Sequence, residues 1–330
     1  MNYGDLIKDA FWLTLRNRYL WFFGFFAGGT SAGGGNFGLP SGGPGGFDDG
    51  DFDDFGEPGR GDFGGATLGF DPGQWIFDHL ALILAIVALV AVIALFFIVM
   101  SLISQGALTE SVNAIDRGER RRFSSSFRAG VSNFWRVLGY LLLFILISLG
   151  FLLVVGVPVA LLVVGVFTGT ESVGGRVLTA ILAGLVSIAL LIIVFIPLSI
   201  TGQFALREIV VRRERVVASV GSGYRPFRRN LAKSLLVWLI QLAISIGVGI
   251  ALLIALLLVG FILALPAITL AVVGYTTALV VGIVAALILL PILIVAAGAF
   301  GTFGHCFWTL AYLRLIALAE GVNLQPGQGT

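Results

Sequence analysis

The sequence predicts an all-α integral membrane protein with about six transmembrane helices, arranged as three repeated helical hairpins. Of its 330 residues, 58% are hydrophobic and only 12% are charged, so the chain is far more apolar than a soluble protein. Four stretches contain no Asp, Glu, Lys or Arg, and about 20 apolar residues suffice to cross a bilayer. These stretches are 79–109, 137–170, 177–206 and 234–313. The segregation of basic residues and an internal repeat then fix the number and direction of the spans.

We place six spans in and beside these stretches. The third, fifth and sixth are longer than a straight crossing needs, so each must tilt, kink or protrude. Pro158, Pro197, Pro266 and Pro291 are natural kink positions, because neighbouring helices can satisfy the freed carbonyls. The predicted spans are 10–29, 80–104, 137–167, 177–200, 235–264 and 277–313.

The first span needs justification, because "LRNRYLWFFGFFAGG" has the general layout of a signal peptide: basic, then apolar, then small residues. Its apolar run, Tyr19 to Ala27, is short and bulky, and no A-x-A cleavage site follows. We therefore expect this segment to be retained as part of the fold.

Basic residues predict the orientation, since positively charged loops tend to stay in the cytoplasm. They collect before the first span, between the second and third, between the fourth and fifth, and after the last, whereas the other connectors hold only Arg60 and Arg176. This pattern predicts that both termini are cytoplasmic. Arg far outnumbers Lys and glycine is abundant, a bias typical of high-GC bacterial genomes, so we expect a bacterial plasma (inner) membrane protein.

The connector between the first two spans, residues 28–79, is rich in glycine and contains the acidic stretch "FDDGDFDDFGEPGRGD" at 47–62. Asp49, Asp51 and Asp53 begin like a calcium loop, but an EF-hand needs Gly at the sixth position and Glu at the twelfth. Asp54 and Arg60 stand there instead. We expect a disordered, solvated external loop. Docking of its phenylalanines on a partner or on the bilayer surface is the alternative.

Three segments that lead into odd-numbered spans align without gaps: "AFWLTLRN", "SFRAGVSN" and "GYRPFRRN". Each has a small residue followed by an aromatic one, and each ends in an asparagine: Asn17, Asn133 or Asn230. We interpret these leading segments as copies of one unit, made of a basic amphipathic segment, a span, an external connector and a returning span.

The segments that return from even-numbered spans also match. "QGALTE" contains Gln105 and Glu110, "QFALRE" contains Gln203 and Glu208, and the third, from His305, aligns only by position. We hypothesise that the amides of leading and returning segments hydrogen-bond between helices, Asn133 with Gln105 and Asn230 with Gln203. The alternative is that each asparagine merely caps or breaks a helix.

The repeat divides a single membrane domain, residues 1–330, into three hairpins and a tail. Hairpin 1 covers 1–104, hairpin 2 covers 105–200, hairpin 3 covers 201–318, and 319–330 is predicted to be a flexible tail.

The leading segments show apolar residues at helical spacing beside arginines, which predicts interfacial helices on the cytoplasmic side. The basic residues placed to contact anionic lipid headgroups are Arg128, Arg136, Arg228 and Arg229. A purely topogenic role for these arginines is the alternative.

The sequence resembles bacterial membrane proteins related to the glycerophosphodiester phosphodiesterase membrane domain. The resemblance lies in "RNRYLWFFGFFAGG", in "AIDRGERRRFSSSFRAGVSNFWRVLGY" and in "FWTLAYLRL". It implies a multi-pass membrane module, and no segment here is long and polar enough to be the soluble phosphodiesterase domain that some members carry.

The sequence predicts no enzyme, no cofactor and no metal site. His79 and His305 are the two histidines, Cys306 is the single cysteine, and nothing near them supplies further ligands. "GSG" at 221–223 lacks the context of a phosphate loop, and no nucleic-acid module is visible. The expected partners are membrane lipids, with other membrane proteins as a further option.

The span interiors offer Ser187, Gln241, Ser245 and little else that is polar, whereas ion-coupled transport usually needs charged groups there. The sequence therefore favours a non-enzymatic membrane protein acting as a scaffold, an accessory subunit or a lipid-organising module. The alternative function is a passive carrier or transporter of lipids or other apolar small molecules.

Overall fold

The computed structural model describes residues 2–31, 79–169, 173–271 and 275–320, and these ranges form eight helices without a strand. This confirms the all-α prediction for the described part of the chain. The helices are α1 (Tyr3–Arg16), α2 (Leu20–Ser31), α3 (Leu80–Asp116), α4 (Phe123–Gly169), α5 (Val173–Val211), α6 (Val216–Arg229), α7 (Leu231–Ala271) and α8 (Tyr275–Glu320).

Five of these helices are long and apolar enough to cross a membrane, which confirms a membrane protein with several candidate spans. In the most apolar stretch of each helix, at most 28% of the residues are buried within the protein. The other side chains are therefore available to contact lipid. The candidate spans are Leu80–Asp116, Phe123–Leu161, Ala180–Val211, Leu231–Phe261 and Leu287–Leu318.

The predicted first span, 10–29, is not among these five, because the chain breaks at residues 17–19 into α1 and α2. The described α2 has 12 residues, or about 18 Å at 1.5 Å per residue, against a hydrocarbon core of about 30 Å. The break has a local cause at Asn17. Its side-chain amide donates to Leu13 O at 3.0 Å, and its backbone N–H bonds the same carbonyl, so the last turn of α1 is closed. Trp21 Nε1 then donates to Thr14 O at 2.9 Å and ties α2 to that turn.

One glycine, Gly118, allows the chain to turn between α3 and α4. Gly118 has φ 84°, which favours glycine, and the N–H groups of Gly118 and Glu119 bond to the carbonyls of Ile115 and Ala114. This pairing is a Schellman motif, which satisfies carbonyls at the end of a helix. The matching turn after α5 instead places Arg213 at φ 56°, where a side chain is strained.

The predicted interfacial helices take two different forms. The first and third leading segments are separate helices, α1 and α6, whereas the second is continuous with its span in the 47-residue helix α4. Pro158, Pro197 and Pro291 lie inside α4, α5 and α8 without ending them.

The chain divides into two compact units, residues 1–38 with 100–330, and residues 39–99. In the first unit, buried apolar side chains from α1, α3, α5, α6, α7 and α8 form the main core. Its large members include Ile200 and Phe204 of α5 and Trp308 and Tyr312 of α8, with Leu6 of α1. The core thus lies where α3, α5 and α8 approach their C-terminal ends. In the second unit, the described residues are the beginning of α3, and nearly all of their side chains are exposed.

Three predictions fall partly or wholly outside the described residues. The acidic stretch 47–62 and most of the connector 28–79 lie there, as does 321–330 of the predicted tail. Helix α8 ends at Glu320, within the first two residues of the predicted tail, and the flexible tail stays a prediction.

Candidate functional site

Most buried polar side chains lie in four short segments, 104–111, 126–133, 201–208 and 302–309. We refer to these segments together as the buried polar end. Polar groups taken out of water must find hydrogen-bond partners, so their pairing shows how the helices are held. The buried polar end is the part of the chain where chemistry-bearing side chains concentrate, and it is the candidate functional site.

The first contact of the buried polar end joins α3 to α4. The Asn133 side-chain amide donates to Glu110 Oε2 at 2.6 Å and to Ala129 O at 3.0 Å. Ser111 Oγ donates to Ser126 Oγ at 2.8 Å. The two helices come close because Gly130 has no side chain: a Cβ there would overlap Ile103 O of α3, and Gly106 lies next to this contact.

A second contact packs α5 against α4 and α6. The Tyr140 hydroxyl of α4 donates to Gly202 O at 3.0 Å. A Cβ at Gly202 would lie only 3.0 Å from Phe144, and one at Gly223 of α6 would lie 2.8 Å from Ala205 N. Gly223 therefore permits the backbones of α5 and α6 to approach, whereas Gly202 makes room for the side chains of Tyr140 and Phe144 of α4.

The third contact packs α2 against α8. Thr302 Oγ1 donates to Leu20 O at 3.0 Å, and His305 Nε2 lies 3.2 Å from Ala27 O. A Cβ at Gly24 or Gly301 would overlap the backbone of the other helix. His305 thus holds α2 to α8 through a backbone carbonyl.

The buried polar end also contains a buried cation. Arg207 is 0% exposed, and its Nη1 donates to the backbone oxygen of Gln203 at 2.6 Å and to the side-chain oxygen of Gln203 at 2.7 Å. Glu208, the next residue, is 2% exposed and lies 3.7 Å from Arg212 Nε in an ion pair.

The seven repeat-equivalent polar residues predicted from sequence fall into different environments. Asn17 and Asn230 are the C-caps of α1 and α6, with similar backbone angles, which is the capping alternative. Asn133 and Glu110 are brought together, whereas Gln105 donates to Ser101 Oγ of its own helix at 3.4 Å. The amide pairing of Asn133 with Gln105 is therefore not present, because Glu110 lies one and a half turns further along the same helix and offers a charged acceptor.

The four arginines predicted to contact lipid headgroups lie at the surface. Arg128, Arg228 and Arg229 are exposed, and Arg136 is half-buried. Exposed apolar side chains accompany them: Trp135 is 77% exposed on α4, and Val217 is 77% exposed on α6.

Arg207 and its neighbours Tyr140 and Tyr312 are not among the site residues that the sequence predicts. Arg207 lies between the predicted fourth and fifth spans, where the basic residues indicate a cytoplasmic connector. A signal was present in the returning segments, because "QGALTE" has Thr109 where "QFALRE" has Arg207. A charge at a position that is neutral in its counterpart, and that lies within an apolar run, suggests a buried role.

Among the described residues, no group of three or more His, Cys, Asp or Glu side chains is arranged to hold a metal ion. Cys306 is buried and lies beside Thr14.

The family model of a family of unknown function, DUF7544, matches residues 16–319, which include all three contacts of the buried polar end. The chain belongs to this family. No curated protein and no solved structure matches the chain. Membership of DUF7544 assigns no activity, and the resemblance to the glycerophosphodiester phosphodiesterase membrane domain stays a prediction.

Proposed function

We propose that this protein is a non-enzymatic, multi-pass membrane module that gathers anionic lipids at a basic cytoplasmic surface. The observation that carries the proposal is that exposed or half-buried arginines adjoin exposed aromatic or aliphatic side chains on the leading segments. Trp135 stands beside Arg136 on α4, and Tyr224 beside Arg225 on α6. Aromatic rings and long basic side chains together are typical of the membrane interface, where the ring reaches into the bilayer and the guanidinium meets headgroups.

The internal packing supports this proposal. Several polar residues of the candidate spans are tied into helix–helix contacts, such as Asn133 with Glu110 and Thr302 with Leu20. The outer surfaces of the spans are apolar and exposed. Such a molecule presents a fixed apolar surface to the lipid chains and a basic rim to the headgroups. The basic rim consists of Arg128, Arg136, Arg228 and Arg229. We place that rim on the cytoplasmic side of a plasma membrane, in accordance with the basic-residue pattern.

A bromine-quenching measurement tests the proposal. The protein is reconstituted into nanodiscs with equal amounts of anionic and zwitterionic phospholipid, and bromine is carried by one class at a time. Tryptophan fluorescence should be quenched more strongly by the brominated anionic lipid, because Trp12 and Trp135 are exposed near basic residues. Replacing Arg128, Arg136, Arg228 and Arg229 together by Gln should reduce the difference, and the part that comes from Trp12 should remain. Equal quenching by both lipids in the wild type would contradict the proposal.

A passive carrier of lipids or apolar small molecules is the second candidate function, and a cavity that is open to the protein surface favours it. This half-open space of about 460 Å³ lies between α4 and α5, and it is lined by Val154, Pro158, Leu182 and Val186. Its volume is in the range of small-molecule pockets, and its walls are apolar. Filling it with Ala183→Trp should abolish binding of a fluorescent fatty-acyl probe if the cavity carries a ligand. Unchanged binding would exclude this cavity as the carrier site.

A further inference from the structure

Arg207 occupies an unusual position for an arginine. It is fully buried near the end of α5, and the groups that interact with it electrostatically are Tyr140 of α4 and His305, Cys306 and Tyr312 of α8. None of these four side chains carries a fixed negative charge. The nearest carboxylate along the chain, Glu208, is in an ion pair with Arg212 and also interacts with Tyr312. Among the described residues, the buried guanidinium therefore has no carboxylate counter-charge.

Only one of the three nitrogens of the Arg207 guanidinium has hydrogen-bond partners in the described part of the chain. Arginine has five N–H donors in a planar fork. Nη1 bonds twice to Gln203, but the buried Nε and Nη2 have no partner in the described part of the chain. These two nitrogens form one edge of the fork, and that edge is the one that binds two oxygens of a phosphate or carboxylate side by side. The buried indole N–H of Trp308, on the facing helix α8, also lacks an acceptor.

Burying a cation whose N–H groups lack partners costs folding free energy, unless an anion accepts hydrogen bonds from those groups. We propose that the Nε–Nη2 edge of Arg207 holds one phosphate group, supplied by an anionic phospholipid headgroup or by free phosphate. Nη1 stays on Gln203 and fixes the plane of the guanidinium, so the free edge is already oriented for two parallel hydrogen bonds. Tyr140, whose hydroxyl donates to Gly202 O, is close enough to interact electrostatically with the guanidinium.

The position along α5 favours a headgroup as the source of the phosphate. Arg207 lies four residues before Val211, the last residue of α5, which is about 6 Å along the helix axis. Arg212, Arg213 and Arg215 follow directly. The guanidinium therefore lies about one turn inside the end of a candidate span, at the level where a bilayer presents its phosphates. Because Arg207 is 0% exposed, the side chains around it must move apart to admit or release the group, so a bound group should exchange slowly and remain with the purified protein.

This inference goes beyond the proposed function. The surface arginines attract an exchanging shell of many lipids, whereas the buried edge binds a single group. The first test is phosphorus analysis and native mass spectrometry of protein washed extensively in a phosphate-free sugar detergent. The wild type should retain about one phosphate per chain, and Arg207→Met should retain none, with its helical circular dichroism unchanged. Arg215→Met, at an exposed arginine of the turn after α5, is the matched control and should retain the phosphate.

A second test does not depend on how the Arg207 variant folds. Wild-type protein stripped of lipid is melted with a short-chain anionic phospholipid, with a short-chain phosphatidylcholine, or with inorganic phosphate. A ligand that binds only the folded state raises the melting temperature. A rise with the anionic phospholipid assigns the site to a headgroup, and a rise with inorganic phosphate alone assigns it to free phosphate.

Two results would overturn the inference: a wild type that retains no phosphate and is stabilised by neither source, or an Arg207→Met variant that retains as much phosphate as the wild type. The bromine-quenching difference in nanodiscs should persist in Arg207→Met. The tightly held phosphate should likewise persist in the variant that lacks the four surface arginines, so failure of one idea is distinguishable from failure of the other.

Discussion

The side-chain amide of Asn133 donates a 2.6 Å hydrogen bond to the Glu110 carboxylate, which lies 23 residues earlier in the chain. This bond joins the end of α3 to the beginning of α4, beside the close approach of Gly106 and Gly130. Asn133 is 3% exposed, so the bond is shielded from water. Bonds to a charged acceptor are stronger than neutral ones, and this contact is the clearest polar link between two helices of the molecule.

A double-mutant cycle on this pair should give a coupling energy of about 1 kcal/mol. Interhelical side-chain bonds in membranes average about 0.6 kcal/mol and reach about 1.7, and the charged acceptor should place this bond in the upper half of that range. The measurement is the unfolding free energy of Asn133→Ala, Glu110→Ala and the double variant in mild detergent.

The control for that cycle is Asn133→Ala with Gln105→Ala. The Gln105 amide bonds to Ser101 of its own helix, so these two substitutions should add without coupling. Coupling in the Gln105 cycle together with additivity in the Glu110 cycle would show that the assignment of the bond is wrong.

Small residues at the close helix crossings should be sensitive to a single methyl group. A Cβ at Gly223 would lie 2.8 Å from Ala205 N and 3.1 Å from Thr201 O, both backbone atoms that cannot rotate away. Gly223→Ala should therefore cost about 1–3 kcal/mol of unfolding free energy, as overpacking does elsewhere.

Gly247→Ala is the matched control for Gly223→Ala, because no atom lies within 4 Å of a Cβ built there. It should be neutral or stabilising by up to about 1 kcal/mol through higher helix propensity. If both alanine variants melt like the wild type, the crossing is not as close as described.

Arg213 should be improved by glycine. Its φ of 56° is a left-handed conformation that favours glycine, and the same role after α3 is filled by Gly118. Arg213→Gly should stabilise the protein by about 1 kcal/mol, the cost of this conformation for a residue with a Cβ. Arg213→Ala, which removes the side chain but keeps the strain, should bring no such gain, and an equal gain from both variants would assign the effect to the lost charge instead.

Cys306 should be unreactive in the folded protein, because it is 0% exposed and is the only cysteine of the chain. A maleimide should label it only after denaturation.

Because Cys306 does not react in the folded protein, the wild type is a suitable background for topology mapping with introduced cysteines. A new cysteine from Arg120→Cys, on the exposed turn between α3 and α4, should be labelled only by a reagent that reaches the cytoplasm. One from Gly50→Cys, in the predicted external connector, should be labelled by an impermeant reagent from outside.

Much of the fold is predictable because it follows from hydrophobic length. Uncharged stretches of sufficient length predicted the helices that became α3, α4, α5, α7 and α8. The break between α1 and α2 was missed, because the apolar run continues past Asn17 and only the cap hydrogen bond to Leu13 O shows that the helix ends there. The continuity of α4 was missed for the opposite reason, since its Asn133 finds a partner on another helix and does not act as a cap.

The candidate site was predictable only in outline. The returning segments were singled out by their repeat, and Glu110, Glu208 and Asn133 do lie in or beside the buried polar end. Which of these side chains hydrogen-bond to each other depends on how the helices are rotated and at what angle they cross. The spacing of residues along the sequence does not determine either quantity. The burial of Arg207 was not predicted, because Arg212, Arg213 and Arg215 follow it closely and a basic residue next to a basic loop ordinarily belongs to that loop.

We propose that the basic rim of this protein holds anionic lipid, and the lipid shell that the protein retains when it is extracted from native membranes tests this proposal most directly. The protein is extracted with an amphipathic polymer that retains surrounding lipid, and anionic and zwitterionic lipids are counted by mass spectrometry. The wild type should be enriched in anionic lipid over the bulk membrane. The variant with Gln at 128, 136, 228 and 229 should lose that enrichment, since each interfacial arginine contributes about 1 kcal/mol. A charge-matched control with Gln at 117, 120, 122 and 215, which are exposed positions, should keep most of it. A wild-type shell with the composition of the bulk membrane would contradict the account.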